Sequence, residues 1–317
     1  MDINKLAALR ELALRKTMTE VAKKLHLSPS AVSQQIAQLE EEVGIDLIER
    51  RGRGVELTLA GERLVEHANR IFTELESARA EMSYLKKEVA GKVRVAAFPS
   101  VAAAVMPSTF SSLARLYQRL KIQFDEMEPE EALTALRGWQ TDVALIDDLN
   151  TPPGLLDANI AIIPLMEDVF NVVLPMHHRL AEKKKVTFSE LADEKWVIDT
   201  ASITYTDMLS TACSKAGFMP DIIARCKGFE VTIELIRGGC GIAILPELRA
   251  RHNLENVVVR RIYPEIRRKI FVVYRKSEKK NPLIRAFLTS LYEQSIFLRY
   301  GAFSPEAEEL IQKLVLD

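Results

Sequence analysis

Between Thr58 and about Glu88, apolar residues recur at Leu64, Ala68, Ile71, Leu75, Ala78, Met82, Leu85 and Val89, in alternating steps of four and three without a break. A seven-residue repeat keeps one narrow stripe of an α-helix continuous from end to end, a periodicity that a strand cannot satisfy. Thr58 suits the N-cap, and about 30 residues of helix extend roughly 45 Å. A seam this narrow, flanked by charge, is buried either against its own chain or against a second copy, and the strict 3.5-residue period favours the copy. Leu64, Ala68, Ile71, Leu75, Ala78, Met82 and Leu85 are therefore assigned to a homodimer interface. Whatever precedes the helix is then present in pairs.

What precedes it reads as three short helices. The first buries Ile3, Leu6, Leu9, Leu12 and Ala13. The second starts between Thr17 and Thr19 and buries Val21, Ala22 and Leu25. His26-Leu27-Ser28-Pro29 interrupts the pattern, with Ser28 placed as an N-cap and Pro29 as the first residue of the third helix. That helix runs to Val43, carries Val32, Ile36, Leu39 and Val43 inward, and stops at Gly44. Its outward face shows Ser30, Ser33, Gln34, Gln35 and Gln38, where a merely solvated helix would be richer in Lys and Glu. Gln amides pair bidentately with adenine in the major groove, and Ser hydroxyls reach bases or phosphates. The competing reading is a polar face in an ordinary small bundle. Arg50, Arg51 and Arg53, set among glycines and followed by a strand-like run, suit a wing that touches phosphates or the minor groove; a solvated basic loop is the alternative.

The ordered pattern Ala22-x2-Leu25-x2-Ser28-Pro29-Ser30-Ala31-Val32-Ser33-Gln34-Gln35-Ile36-x2-Leu39-Glu40, then Gly44, Leu47-x2-Arg50 and Leu57-Thr58-x-Ala60-Gly61, resembles the winged helix-turn-helix of LysR-type transcriptional regulators. Ile48 departs from it, standing where many members carry Phe. The resemblance implies that the third helix enters the major groove with Ser30, Ser33 and Gln34 near bases. Thr19, Ser28, Pro29, Gln35 and Gln38 complete the helical contact set, and Arg50, Arg51 and Arg53 the wing. It also implies that the long helix is the family's linker, that the partner is a double-stranded, imperfectly palindromic operator, and that dimers pair into a homotetramer.

From Gly91 the period changes to alternating strands and helices, the mark of an α/β unit with a parallel sheet covered on both faces. Val231-x3-Leu235-Ile236-x-Gly238-Gly239-x-Gly241-Ile242-Ala243-x-Leu245-Pro246 resembles the family's effector domain, which is similar to two-lobed periplasmic solute-binding proteins. The implied division is 1–58 winged helix-turn-helix, 59–90 linker helix, 91–163 with 267–300 one lobe, 164–266 the other, and 301–317 a helical extension. An effector would lie in the cleft between the lobes. Ligands of open α/β sheets sit beyond the carboxyl ends of strands. That rule selects Pro99, Ser100 and Val101, Asp147, the run Thr200, Ser202 and Thr204, and Lys227 with Phe229. Amides at helix starts and Lys227 favour a small carboxylate; Asp147, Asp148 and Glu230 leave room for an amine or zwitterion. Helix capping accounts for at least one of the three hydroxyls.

No catalytic constellation emerges. His26, His67, His177, His178 and His252 have no metal-ligand spacing, and there is no Gly-x-Ser-x-Gly elbow, phosphate loop or dinucleotide fingerprint. Gly238-Gly239-Cys240-Gly241 ends a helix instead of opening one, so it is structural. The expectation is a protein that is not an enzyme and needs neither cofactor nor metal. The start of the chain does not read as a signal peptide and no run is long enough to span a membrane, which points to the cytoplasm. The net charge of -1 selects no partner by itself. Cys213, Cys226 and Cys240 fit no disulfide framework, and their apolar neighbours suggest buried, inert thiols. Two alternatives stand: a cysteine-based redox-sensing regulator, and a cytosolic small-molecule enzyme or binding module with an N-terminal assembly bundle.

Overall fold

The structure, a computed structural model, describes residues 1–51, 54–85, 89–149, 159–200, 203–250 and 255–300. These fall into two compact units, one of Met1–Leu85 with Arg137–Gln140 and one of the rest of the chain.

In the first unit α1 (Ile3–Arg15), α2 (Met18–Leu25) and α3 (Pro29–Val43) lead into a hairpin of β1 (Ile48–Arg51) and β2 (Gly54–Leu57), and then α4 (Leu59–Leu85). Asp2, Thr17 and Ser28 cap the three short helices, each accepting a backbone amide of the first turn. Each of those helices ends on a left-handed residue, Lys16, His26 or Gly44. Val32, Ile36 and Leu39 of α3 close on Leu9, Leu12, Val21 and Ala22 as one core, with Ile48, Val55 and Leu57 of the hairpin against it. The hairpin is antiparallel, with Ile48 opposite Leu57 and Arg51 opposite Gly54.

A knot of backbone bonds joins α3, the hairpin and α4. The Glu40 carboxylate accepts the amides of Leu47 at 2.8 Å and Ile48 at 3.1 Å. The Thr58 hydroxyl donates to the Asp46 carbonyl at 2.8 Å and accepts the Gly61 amide at 3.1 Å. The chain passes so close that a Cβ on Gly61 would lie 2.0 Å from the Leu47 carbonyl oxygen.

The seam of α4 divides, which corrects the assignment of all seven residues to a partner. Ala68 is fully buried in the core of its own unit, and Leu64, Val65 and Phe72 pack there too. The reason is local: the first turns of α4 lie against α1, where Arg10 stacks over the Phe72 ring at 4.2 Å. Farther along, Ile71, Leu75, Ala78 and Met82 face solvent. The side chain of Leu85 lies outside the described residues.

The second unit contains β3 (Gly91–Ala97), α5 (Pro99–Leu116), β4 (Leu120–Glu126), α6 (Pro129–Arg137), β5 (Val143–Asp147), β6 (Ile160–Pro175), β7 (Lys185–Thr187), β8 (Lys195–Asp199), α7 (Ile203–Lys215), β9 (Asp221–Cys226), α8 (Phe229–Arg237), β10 (Ala243–Pro246), α9 (Glu247–Ala250), β11 (Val257–Tyr263), β12 (Arg267–Arg275) and α10 (Pro282–Tyr300). The expectation of a parallel sheet needs correcting. β3 is parallel to β4 and β5, and β8 to β9, but β12 runs antiparallel to both β5 and β6, and β10 and β11 antiparallel to β6. The cause is the 16-residue β6, long enough to serve two halves of the unit. Ile160–Val169 pairs with β12, and Phe170–Pro175 with β10 and β11. Pro164, which has no amide to donate, sits beside the register shift at Ile270/Phe271.

The glycine run after α8 proves to be a packing device. Gly239 is left-handed, and a Cβ on Gly241 would meet the Lys195 carbonyl oxygen at 2.5 Å. That approach lets Ile242 donate to Lys195 and accept from Val197, both at 2.8 Å, docking β10 beside β8. The predicted helix from Ser304 lies outside the described residues. Among those described, no helix is long and apolar enough to cross a membrane.

Gly61→Ala should destabilise the first unit by about 2 kcal/mol or more, since backbone must move to admit the methyl. Urea unfolding of the full chain, read by helical circular dichroism, would show this as a lowered first transition. An unchanged curve would contradict the close packing at Leu47.

Candidate functional site

At about 100° per residue, Ser30, Ser33, Gln34 and Gln38 fall on one arc of α3, and all four are exposed. Thr19, Ser28 and Pro29 are exposed at the neighbouring helix starts. Ser28 also acts locally, since its hydroxyl accepts the Ala31 amide at 3.2 Å and lies 2.9 Å from the Ser30 hydroxyl. Gln35 departs from expectation. It lies about 40° from Leu39 around the helix and is half-buried, with its Oε1 hidden from solvent and unpartnered among the described residues. It belongs to the margin of the core instead of the outward face. At the far end of α3, Glu42 is held by Lys5 at 2.7 Å and by the Met1 ammonium at 2.9 Å, so acid is drawn away from the amide and hydroxyl face. Arg50 and Arg51 stand on β1 opposite Val55 and Gly54; their side chains, and Arg53 entirely, lie outside the described residues.

The second site is a small recess with a cavity volume of about 70 Å³. Pro99 and Ser100 at the start of α5, Asp147 at the end of β5 and Phe229 at the start of α8 all line it. The other candidates do not. Val101 is fully buried in the core. Thr200 donates its hydroxyl to the Cys226 carbonyl at 3.0 Å, a loop-closing bond. Lys227 is exposed and outside the lining. Ser202, and the side chain of Thr204, lie outside the described residues.

The floor of the recess is a buried ionic cluster. Arg268 of β12 donates to Asp168 of β6 through Nε at 3.1 Å and Nη2 at 2.7 Å, to Asp147 through Nη1 at 3.2 Å, and to the Ser100 hydroxyl through Nη2 at 2.6 Å. Its guanidinium lies between the rings of Phe98 and Phe170, at 4.9 and 5.2 Å. Asp168 also accepts the Leu248 amide at 3.2 Å, tying α9 to the cluster. On the opposite wall the Tyr205 hydroxyl donates to the Ile244 carbonyl. Burial, reinforced by the Asp199 charge, raises its pKa well above the ordinary phenol range. Arg249 of α9 is half-buried over the Phe229 ring at 5.4 Å. Burial lowers its pKa, and the carboxylates of Asp199, Glu126 and Glu230 offset this only in part.

Arg268, Asp168 and Arg249 are additions to the expected set, although the sequence carries a signal for two of them. Arg268 shares strand parity with Ile270 and Val272, and Asp168 with Phe170 and Val172, so period two turns both inward. Arg249 sits in a one-turn helix that no periodicity announces. The cysteines also differ from expectation: Cys213 and Cys226 are buried, but Cys240 is exposed because the glycine turn presents it outward. Burial pushes the Cys213 thiol up to about 11. Among the described residues, no group of His, Cys, Asp and Glu could hold a metal ion.

Two family models match the chain. "Bacterial regulatory helix-turn-helix protein, lysR family" covers residues 3–62, and "LysR substrate binding domain" covers residues 86–295. The hydrogen peroxide-inducible genes activator of Pectobacterium carotovorum subsp. carotovorum is 27% identical over 278 residues, 87% of this chain and 90% of that protein. Transcriptional dual regulator GltC of Bacillus subtilis (strain 168) is 24% identical over 289 residues, 90% and 95% of the two chains. A variant of full-length OxyR from Pseudomonas aeruginosa has the same fold, with a TM-score of 0.72 at 22% identity, over 94% and 95% of the chains.

Arg268→Met should cost about 3–5 kcal/mol, because it strands two buried carboxylates. Adding Asp147→Asn and Asp168→Asn should restore part of that loss in chemical denaturation; an undiminished loss would contradict the charge argument. A thiol reagent should label Cys240 of the native protein rapidly and spare Cys213 until unfolding, as peptide mapping would read.

Proposed function

Because this chain belongs to the LysR family and is thus a DNA-binding transcriptional regulator with an effector-binding domain, not an enzyme, we propose how its parts divide that work. The observation that carries the proposal is the exposed arc of Ser30, Ser33, Gln34 and Gln38 on a helix otherwise closed into a core. In this reading the N-terminal half of α3 enters the major groove, with Ser30, Ser33 and Gln34 near base edges and Gln38 farther along. Thr19, Ser28 and Pro29 approach the backbone, and Arg50, Arg51 and Arg53 engage phosphates or the minor groove. Gln35 is left out of the contact set.

The exposed stretch Ile71, Leu75, Ala78 and Met82, continued by Leu85, joins two copies, and pairs of dimers assemble into a tetramer. The paired recognition helices read an imperfectly palindromic operator in the cytoplasm. Residues 1–58 read DNA, 59–90 link, and 91–300 sense. Within the sensor, 91–163 with 267–300 form one lobe and 164–266 the other, with the recess between them as the effector site. The effector binds one arrangement of the lobes more tightly than another, and so shifts the population of assemblies on DNA. Cys213 lends no support to a peroxide-sensing role like that in the relative's name, since burial raises its pKa, the opposite of what a sensing thiolate needs.

Fluorescence anisotropy on a short imperfect palindrome tests the reading, with a scrambled duplex as reference. Affinity should fall steeply with salt as phosphate contacts release counterions. Gln34→Ala should cost about 1–3 kcal/mol on the preferred duplex and little on the scrambled one. Arg51→Ala should weaken both alike. Equal losses from both substitutions on every duplex would contradict the assigned roles. Met82→Glu should shift the sedimenting species toward monomer and weaken operator binding; an intact dimer would exclude the α4 seam as its interface.

A further inference from the structure

A groove along α7 opens onto the core of the second unit. Its cavity of about 370 Å³ is lined by Phe188, Met208, Ala212, Ala216 and Ile266, with Lys215 among them. Phe188 is buried, and the other four apolar residues are half-buried against the same core. Met208, Ala212 and Ala216 stand one turn apart. The two alanines leave a trough that a row of aliphatic side chains can enter. The rim is basic. Lys215 is exposed on the α7 side. On the other side Arg267, Arg261 and Lys185 act on Glu265, the neighbour of Pro264, and lower its pKa.

The chain itself carries a segment that matches this groove. Past Tyr300, outside the described residues, Ala307, Leu310, Ile311, Leu314 and Val315 recur at helical spacing. Glu306, Glu308 and Glu309 fall outside that stripe, with Lys313 as the one cation between Ser304 and Leu316. α10 leads this segment toward the groove. Near its start Leu283 lies against Gly91, at the foot of β3. Farther on, the Tyr292 hydroxyl donates to the Pro164 carbonyl of β6 at 2.6 Å. β3 is parallel to β5, and β12 is antiparallel to both β5 and β6, so β3 and β6 point the same way. α10 therefore climbs along β6 toward Val169 and Arg267, next to Ile266. Tyr292 to Tyr300 spans about 12 Å of helix, against about 17 Å of strand from Pro164 to Val169. The sheet face is the same as well. α10 packs on α5, Ser100 of α5 binds Arg268, and Arg268 covers Phe170. The Phe170 ring in turn stacks on Tyr205 of α7 at 6.1 Å.

We propose that residues 304–316 dock as an amphipathic helix in the α7 groove of their own chain. Leu310 and Leu314 enter the alanine trough, and the glutamates turn toward Lys215 and the basic rim. The segment then straps α10 to α7 across the turn between β11 and β12. A second copy laid in the groove is the competing occupant. The tail is favoured because it carries the matching stripe and the opposite sign of charge, and because its tether makes docking intramolecular.

Hydrogen exchange of the full chain, read by mass spectrometry over α7, tests the proposal. Leu310→Glu combined with Leu314→Glu leaves every residue of the groove in place. It should speed exchange of the 208–216 amides about tenfold, while unfolding followed by circular dichroism stays cooperative. A chain ending at Tyr300 should behave alike, and a synthetic peptide of residues 301–317 added to it should restore slow exchange. Ala212→Trp, which fills the trough, should prevent that rescue. Unchanged exchange in both the doubly substituted and the shortened chain would overturn the proposal. Protection of the full chain that disappears on dilution would also overturn it, by assigning the groove to a second copy.

Discussion

Arg268 is an interior cation at the one place where β5, β6, β12 and the start of α5 meet, and the order of the second unit follows from keeping it satisfied. Moving a guanidinium and two carboxylates out of water is unfavourable, and their attraction offsets this only when the geometry is close to ideal. An apolar cluster of equal volume would hold the strands together at least as well. What the ionic cluster adds is a single permitted arrangement: Asp147, Asp168 and Ser100 must each present an oxygen to the same planar fork, so strand register and helix position are set jointly. The Asp168 bond to the Leu248 amide extends that constraint to α9, and through α9 to Arg249. The recess above therefore has a rigid floor and a wall whose position depends on it.

The first unit solves a different problem. A recognition helix has to be held by its core face alone, because its other face must stay free for DNA. Glu40, at the C-terminal end of α3, commits its carboxylate to the backbone of the hairpin, and Thr58 binds the same turn from the other side. Neither contact touches the outward arc. The burial of Ala68 and Phe72 then fuses the base of α4 to this core, so the direction of the long helix and that of α3 are fixed together. In the proposed dimer, an orientation set at the α4 seam is thereby carried into the placement of α3 in each copy.

How much of the chain is legible in sequence depends on whether a feature is local. α8 and α10 have the bounds that their punctuation at Gly228 and Pro282 indicates, and the caps at Ser28 and Gly44 are visible because capping is a short-range interaction between a side chain and nearby amides. β7 and β11 leave little trace; the first has three residues, and the second mixes arginine into a half-exposed run. Alternation of elements points to a parallel sheet but says nothing about which later strand returns beside which earlier one, and here the returning strands are antiparallel. At the recess, the rule about strand ends selects Pro99, Ser100, Asp147 and Phe229, and all four line it. It fails at Val101, which its helix turns into the core. No pattern reaches Arg249, which sits in a one-turn helix and is set by its tertiary neighbours.

β6 and β12 are paired over nine registered positions with one register shift at Ile270/Phe271, and their ladder ends at Val169 and Arg267, beside the Phe170 and Arg268 that line the recess. Two strands bonded along such a length resist bending as one ribbon up to the edge of the recess, where β12 begins and β6 goes on to pair with β10 and β11. On the proposed reading of the recess as an effector site, closure around a bound molecule flexes β6 just past the end of that ribbon. On that reading the bonded ribbon favours a slight rotation over a wide swing.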